Sequence, residues 1–122
     1  MAFSTSVPGS PLTALVGVET DAKVALKTIK GSAGVIRIIE VVNPNATPVY
    51  LKIYDDPAAV VGTTIPTAQF PIPGTSTDFI ATFLGTNGLT FAAGILISCS
   101  DTAGVAAGSD PGTAVIVRLA GT

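Results

Sequence analysis

Apolar and polar residues alternate along most of this chain, in short segments separated by glycine, proline, asparagine and aspartate. Alternation with a period of two is typical of a β-strand that has one face on a core. The pattern predicts about eight such strands, at residues 23–30, 35–42, 49–55, 67–72, 77–84, 89–91, 94–100 and 113–119. Short strands with turn residues between them predict an all-β fold, an antiparallel, jelly-roll-like β-sandwich, with a barrel as the alternative.

Proline and β-branched residues set the expected roles of the middle strands. The segment 35–42 is almost wholly β-branched, which predicts a central strand. Asn43 and Pro44 end it, because a proline lacks the amide hydrogen that a sheet ladder needs. The segment 49–55 follows after a short connection, so we expect these two strands to pair with each other. The prolines in and around segment 67–72 confine that strand to a sheet edge.

The inward face of each predicted strand supplies the expected core. Its members are Val24, Leu26, Ile36, Ile38, Leu51, Ile53, Phe79, Phe83, Ile95, Ile97, Val115 and Val117. Ile38 is taken as a typical buried position in the central strand. Its truncation to alanine is expected to lower the free energy of unfolding by about 2–5 kcal/mol.

The N-terminal residues differ from the rest of the chain. Pro8, Gly9 and Pro11 interrupt them early, and no regular alternation begins before residue 19. We therefore predict an extended arm over residues 1–18 and a single β-sandwich domain over 19–122. The arm is expected to lie across a neighbouring subunit, by edge pairing or by burying apolar side chains. The side chains in question are Val7, Leu12, Leu15 and Val16.

Composition excludes several kinds of active site. The 122 residues include no histidine, no tryptophan and a single cysteine. Triads built on histidine, zinc sites of histidine and cysteine, and disulfide frameworks therefore lack their residues. Asp55, Asp56, Asp101 and Asp110 lack the spacing of a calcium-binding loop, and we interpret them as turn-forming residues. The sequence predicts no catalytic residue, no metal and no cofactor, and hence a protein that is not an enzyme.

Charge and hydropathy also bear on the partners. Six lysine and arginine residues against eight acidic residues give a net charge of -2, which leaves no basic stripe to neutralise nucleic-acid phosphates. No apolar run is longer than four residues, which predicts neither a signal peptide nor a membrane helix. We expect neither a nucleic acid nor a membrane as partner.

The shortage of charge points to other protein chains as partners. Charged residues make up 11% of the chain and apolar residues 48%. Surplus apolar surface commonly marks contact with other chains, which predicts a homo-oligomer, either a dimer or a trimer, or a subunit of a larger shell. Tyr50 and Tyr54 share one face of a strand, as a partner contact or as a half-buried outer face. Cys99, alone in an apolar run, is predicted to be a small buried hydrophobic residue.

Five short motifs follow one another along the chain in an order that is similar to that of one known class of protein. They are VYLKIYD at 49–55, GTTIP at 62–66, FPIPG at 70–74, GLTFAAGI at 88–95 and Asp101-Thr102. This order resembles a small β-sandwich module of tailed-phage virion proteins, in which a YLKLY strand leads to a GTDTP loop, an IPIPAG segment and a GLRFTTG turn. The resemblance covers residues 35–119. The present chain has Thr64 and Ile65 where the module's loop carries an acidic residue.

The resemblance implies a structural protein of the virion. Such modules occur in capsid decoration, or cement, proteins, which bind the major capsid protein on the outer surface of the head and stabilise the shell by non-covalent contacts. They also occur in tail, fibre and baseplate components, where the loops 55–66 and 101–112 would recognise a receptor or a glycan. A free-standing chain with an arm and no fibrous repeat favours decoration of the capsid surface.

Overall fold

The computed structural model of the protein describes residues 15–83 and 88–122. In these residues the chain forms nine β-strands and no helix. The strands are β1 (Leu15–Ala22), β2 (Lys27–Lys30), β3 (Gly34–Asn43), β4 (Val49–Tyr54), β5 (Ala68–Ile72), β6 (Ser76–Thr82), β7 (Leu89–Phe91), β8 (Ile95–Ser100) and β9 (Val115–Gly121). The predicted all-β antiparallel sandwich is confirmed, with nine strands where the sequence predicts eight.

The strands form two antiparallel sheets that enclose one apolar core. Sheet A has the order β1-β9-β3-β6, with β7 also paired to β3, and sheet B has the order β2-β8-β4-β5. Strand β5 lies at an edge, as its prolines predict. Seven of the twelve predicted core residues are buried in this cluster, namely Ile36, Leu51, Ile53, Ile95, Ile97, Val115 and Val117. Phe79 and Phe83 are partly buried and pack against it.

Strand β1 begins inside the segment predicted to be an arm. Residues 15–18 pair with β9, with Leu15 opposite Gly121 and Val18 opposite Arg118, so the predicted boundary at residue 18 falls within a strand. Gly17 hides the alternation, because it occupies an inward position without a side chain. A Cβ there would lie 2.7 Å from Ile29 Cγ2 of sheet B. Val7 and Leu12, the other predicted arm contacts, lie outside the described residues.

The segment predicted as a first strand over 23–30 is a strand only at its end. Residues 23–26 carry the chain from β1 in sheet A to β2 in sheet B. Val24 and Leu26 are half-buried and do not belong to the core cluster, so their prediction as core residues is wrong. This segment bonds through its backbone instead: the carbonyl of Lys23 accepts a hydrogen bond from the amide of Cys99 at 2.8 Å.

Strands β3 and β4 do not pair with each other, contrary to the sequence-based prediction. Strand β3 pairs with β6, β7 and β9, whereas β4 pairs with β5 and β8 in the other sheet. The buried side chain of Asn43 holds the connection between them. Its Nδ2 donates to the carbonyls of Thr47 and Pro73, and its Oδ1 accepts from the backbone amide of Asn45. The turn is therefore fixed by a side chain, without a hairpin ladder.

A bulge in β3 changes which of its residues reach the core. The pairing with β9 shifts between Ile36 and Ile38, so that one extra residue enters β3 at this point. An extra residue turns every later side chain to the opposite face. Ile39 and Val41 are therefore fully buried, whereas Ile38 is half-buried. The prediction that Ile38 is a core residue is wrong.

Candidate partner-binding surfaces

The outer face of sheet B is covered by the chain's own loops. Lys52 and Tyr54 point to this face from β4, opposite Ser98 and Leu96 of β8, and all four residues are buried. The segment after β8 crosses the face, where Lys52 Nζ donates to the carbonyl of Ala106 at 2.7 Å. The part of this face formed by β4 and β8 is therefore an internal layer of the protein.

The covering loops limit the exposure of the two tyrosines that the sequence predicts as partner contacts. Tyr54 is 0% exposed, and Tyr50 on the same face is half-buried. Tyr54 is consequently closed to a partner, because the chain itself occupies the space above it. Burial also raises the pKa of the Tyr54 hydroxyl.

Lys52 lies in this layer, and Cys99 lies in the core beneath it. Both are chemically reactive residue types, and burial changes the pKa of each. Burial lowers the pKa of Lys52, against an opposing attraction from Cys99 and Asp101. Cys99 is buried, as the sequence predicts, and burial raises the pKa of its thiol to about 12. A cysteine nucleophile acts as the thiolate, so Cys99 is not activated for attack.

All four aspartates interpreted as turn-forming accept hydrogen bonds from backbone amides, namely Asp55, Asp56, Asp101 and Asp110. Asp55 accepts hydrogen bonds from the amides of residues 92, 93 and 94 at 2.8, 2.7 and 3.1 Å. Asp101 accepts from the Ser109 amide and from Thr102 Oγ1, both at 2.8 Å, which closes the loop after β8. These hydrogen bonds lower the pKa of both carboxyls. No group of three or more acidic or cysteine residues that could hold a metal ion lies together in the described part of the chain.

The bonds of Asp55 help to define one end of the sandwich, which we call the loop end. Strand β4 finishes here at Tyr54, and the turn bound by Asp55 follows the end of β7 at Phe91, opposite Gly34 at the start of β3. The described chain also begins here, because Leu15 pairs with Gly121 near the end of β9. The segment 1–14 therefore joins the sandwich at the loop end.

The β4–β5 loop, residues 55–67, begins and ends at the loop end and carries exposed apolar side chains. Ile65 is 75% exposed and Val60 is 57% exposed, the highest values among the exposed large hydrophobic residues of the described chain. Internal hydrogen bonds hold the loop. The carbonyl of Val60 accepts from the amides of Thr63 and Thr64 at 3.0 and 2.9 Å, and the Val60 amide donates to Thr64 Oγ1 at 2.9 Å. The exposed apolar side chains therefore belong to a loop that its own hydrogen bonds hold.

The two loops named by sequence as a receptor-binding alternative lie side by side. A Cβ at Gly62 would be 3.6 Å from Ala107 Cβ, so the β4–β5 loop touches the segment 101–112. The side chain of Gln69 in β5 fixes the second segment, because its Oε1 accepts from the Gly104 amide at 2.7 Å. The two segments consist mainly of small residues, and the second also exposes Asp101 and Asp110.

The outer face of sheet A carries a row of four partly exposed side chains, one from each main strand. Arg118 on β9 lies opposite Val18 on one side and opposite Glu40 of β3 on the other. Glu40 in turn lies opposite Ile80 of β6. Val18 and Ile80 are 52% and 53% exposed, and Arg118 Nη1 is 2.7 Å from Glu40 Oε1. We call these four residues the outer row.

Half-buried apolar residues lie beside the outer row. On one side Ile38 lies opposite Ala120, and on the other Val42 lies opposite Ile116. Two features hide this surface in the sequence: Val18 falls within the predicted arm, and the alternation of β3 does not show its bulge. The apolar residues of the β4–β5 loop were also missed, although a loop without lysine or arginine that carries valine and isoleucine is a signal of contact.

A pocket of about 200 Å³ lies where the chain crosses between the sheets. Its charged residues pair with one another: Lys23 Nζ is 3.2 Å from Asp21 Oδ2, and Lys27 Nζ is 3.8 Å from Glu19 Oε2. Opposite charges in equal number leave no net charge to attract an ionic ligand.

Comparisons with protein-family models, curated proteins and solved structures find no match to this chain. Within residues 15–83 and 88–122, there is no helix with the length and apolar character needed to cross a membrane.

Proposed function

We propose that this protein is a capsid decoration protein of a tailed phage. It binds the major capsid protein on the outer surface of the head and stabilises the shell by contact, without catalysing a reaction. The ordered apolar β4–β5 loop is the observation that carries this proposal. The motif order that resembles virion modules and the low share of charged residues support it.

The β4–β5 loop has the properties of an anchor. Burial of a side chain such as Ile65 or Val60 at an interface contributes about 1.5–3 kcal/mol when it is complete. A loop already held by its own hydrogen bonds loses little conformational freedom on binding, which favours affinity. Modest contacts of this kind, repeated over a symmetric shell, add up to a large stabilisation of the particle.

The start of β1 lies at the same end of the sandwich. Residue 15 is at the loop end, where β4 ends and the β4–β5 loop begins. Leu15 and Val16 belong to β1 and pair through their backbone with β9. In this proposal the part of the arm that reaches a neighbouring subunit is residues 1–14.

The anchor is tested by adding a charge to it. Ile65→Asp is expected to lower binding to capsids that lack the protein by about tenfold or more, since it removes about 1.4 kcal/mol or more of contact energy. Co-sedimentation of purified protein with such capsids measures the binding. Thr47→Asp adds the same charge on the exposed β3–β4 turn, at the opposite end of the sandwich, and serves as the control. Equal binding of both variants and of the wild type would exclude the loop as the anchor.

Receptor or glycan recognition by a tail, fibre or baseplate module is the second candidate. The contact between the β4–β5 loop and residues 101–112 favours it, because two adjacent loops provide a continuous surface. A glycan array and a cell-binding assay with the purified protein separate the two functions. Specific retention of a glycan or of host cells supports recognition, whereas saturable binding to capsids supports decoration.

A further inference from the structure

The outer row of sheet A has an order that is complementary to itself. Across the sheet it runs apolar, positive, negative and apolar, as Val18, Arg118, Glu40 and Ile80. Directly opposed residues of antiparallel strands point to the same face. The neighbours of these residues in sequence, such as Val41, Val117 and Leu119, are buried in the core, so the row faces outward.

A second copy can be laid on this face about a two-fold axis that runs parallel to the strands, between β9 and β3. Such an axis reverses the order of the row in the second copy. Arg118 of each copy then lies over Glu40 of the other, and Val18 lies over Ile80. Each charged side chain of the row then faces an opposite charge, and each apolar side chain faces an apolar one. An interface that uses the same patch on both subunits requires this complementarity. Sheets packed face to face in this way keep their strands within about 30° of each other.

The charges of the row suit a contact of this kind. In the single chain, Arg118 and Glu40 form an ion pair whose side chains are 49% and 35% exposed. An exposed pair contributes little to the stability of one chain. In the two-fold arrangement the four charges of two copies form a ring, in which each carboxylate lies between two guanidinium groups. The pair within each chain places the charges in the correct order for the pair between chains.

The outer faces of the two sheets differ in exposure, and this difference favours sheet A as the contact face. Loops of the chain itself bury the outer face of sheet B, including Lys52 and Tyr54. The outer face of sheet A presents Val18 and Ile80 to solvent, with half-buried Ile38, Val42 and Ile116 around the ion pair. Four strands about 4.8 Å apart and about 20 Å long give a face of roughly 400 Å² per copy. An area of this size places the contact among the small, concentration-dependent interfaces.

We propose that the protein forms a two-fold symmetric homodimer through the outer face of sheet A, with Arg118 of each copy paired to Glu40 of the other. The inference rests on the register of sheet A and on its charges, and it holds for the isolated protein whether or not the protein binds a capsid.

A charge exchange between two variants tests the pairing directly. Glu40→Arg places arginine over arginine in a homodimer, and Arg118→Glu places glutamate over glutamate. Each variant alone is expected to dimerise about a hundredfold more weakly than the wild type, because like charges meet twice per dimer. An equimolar mixture of the two variants brings opposite charges together at both positions, so dimers return. Sedimentation velocity over a series of protein concentrations measures all three samples.

Two further variants keep the test informative if a single charge reversal disturbs folding. The double variant E40R/R118E restores the ion pair within the chain and the complementary order of the row, so it is expected to dimerise like the wild type. Ile80→Asp is expected to weaken the dimer at the edge of the face. Thr47→Asp is its control, because Thr47 is exposed in the β3–β4 turn and lies off the face and outside the β4–β5 loop. Circular dichroism and thermal melting confirm that each variant is folded.

The proposal is overturned if the wild type stays monomeric at all concentrations, or if it assembles as a trimer. It is also overturned if the mixture of single variants assembles no better than either variant alone. A wild type that stays monomeric, together with loss of capsid binding by E40R, would assign this face to the shell and would likewise overturn the homodimer. Failure of capsid binding with an intact charge exchange would overturn the decoration function and leave the dimer standing.

Discussion

At the scale of single residues, a few side chains decide features that the pattern of apolar residues does not encode. Asn43 fixes the crossing between the sheets with hydrogen bonds to Thr47 and Pro73. Lys52 ties the segment after β8 to sheet B through the carbonyl of Ala106. Each of these residues is polar and fully buried, and a buried polar group is tolerated only when it is hydrogen-bonded.

The bulge in β3 gives a prediction for two adjacent isoleucines. Ile39→Ala removes a fully buried side chain and is expected to lower the free energy of unfolding by about 2–5 kcal/mol. Ile38→Ala truncates a half-buried side chain, so about 1 kcal/mol or less is expected. Urea unfolding of the two variants measures the difference. A larger loss for Ile38→Ala would show that β3 continues in phase, without the bulge.

Lys52 gives a prediction for the dependence of stability on pH. Its pKa in the folded protein is lowered from 10.5 by burial, so between the lowered value and 10.5 the folded state binds fewer protons than the unfolded state. The free energy of unfolding therefore rises as pH increases through this window. Lys52→Met lacks this contribution, while Tyr54 and Cys99 titrate in both proteins. The difference in free energy of unfolding, wild type minus variant, should rise with pH up to 10.5. Urea unfolding of both proteins at several pH values measures this difference. Parallel profiles would contradict the burial of a charged Lys52.

At the scale of elements, the alternation of the sequence located most strands but not their partners. Strands β4, β5, β7, β8 and β9 lie close to their predicted positions. Their partners depend on which sheet each strand joins, and alternation is the same in either sheet. Strand β1 was missed because Gly17 leaves an inward position empty, where a side chain would collide with Ile29.

The candidate surfaces were less predictable than the strands. Leu15 and Val16 belong to β1, and Tyr54 is buried by loops whose course cannot be read from local pattern. The outer row depends on the register between four strands, and that register follows from long-range pairing. The composition nevertheless predicted that some apolar surface would remain open, and Val18, Val60, Ile65 and Ile80 are exposed.

Deletion of the arm is expected to change binding to capsids without changing the stability of the fold. Deletion of residues 1–11 leaves β1 intact, because this strand begins at Leu15. The thermal melting temperature should therefore stay close to that of the full chain. Occupancy on capsids should fall, because the proposal assigns contact with a neighbouring subunit to the arm. Unchanged occupancy would remove the arm from the binding mechanism.

At the scale of the whole molecule, the proposed dimer and the proposed capsid contact are compatible. A two-fold axis parallel to the strands leaves the direction of every strand unchanged. The loop ends of both copies then lie at the same end of the dimer, so both β4–β5 loops begin and end on that side. Self-association through sheet A would in this way double the number of contacts with a shell.

The central claim is that the protein decorates the outer surface of the head. An electron cryomicroscopy map of the phage particle that contains this chain tests it most directly. The account predicts a two-sheet β-sandwich in the density outside the major capsid protein, with the loop end facing the shell and Ile65 within the contact. A sandwich located in the tail, the fibres or the baseplate, or a head surface without it, would contradict the account.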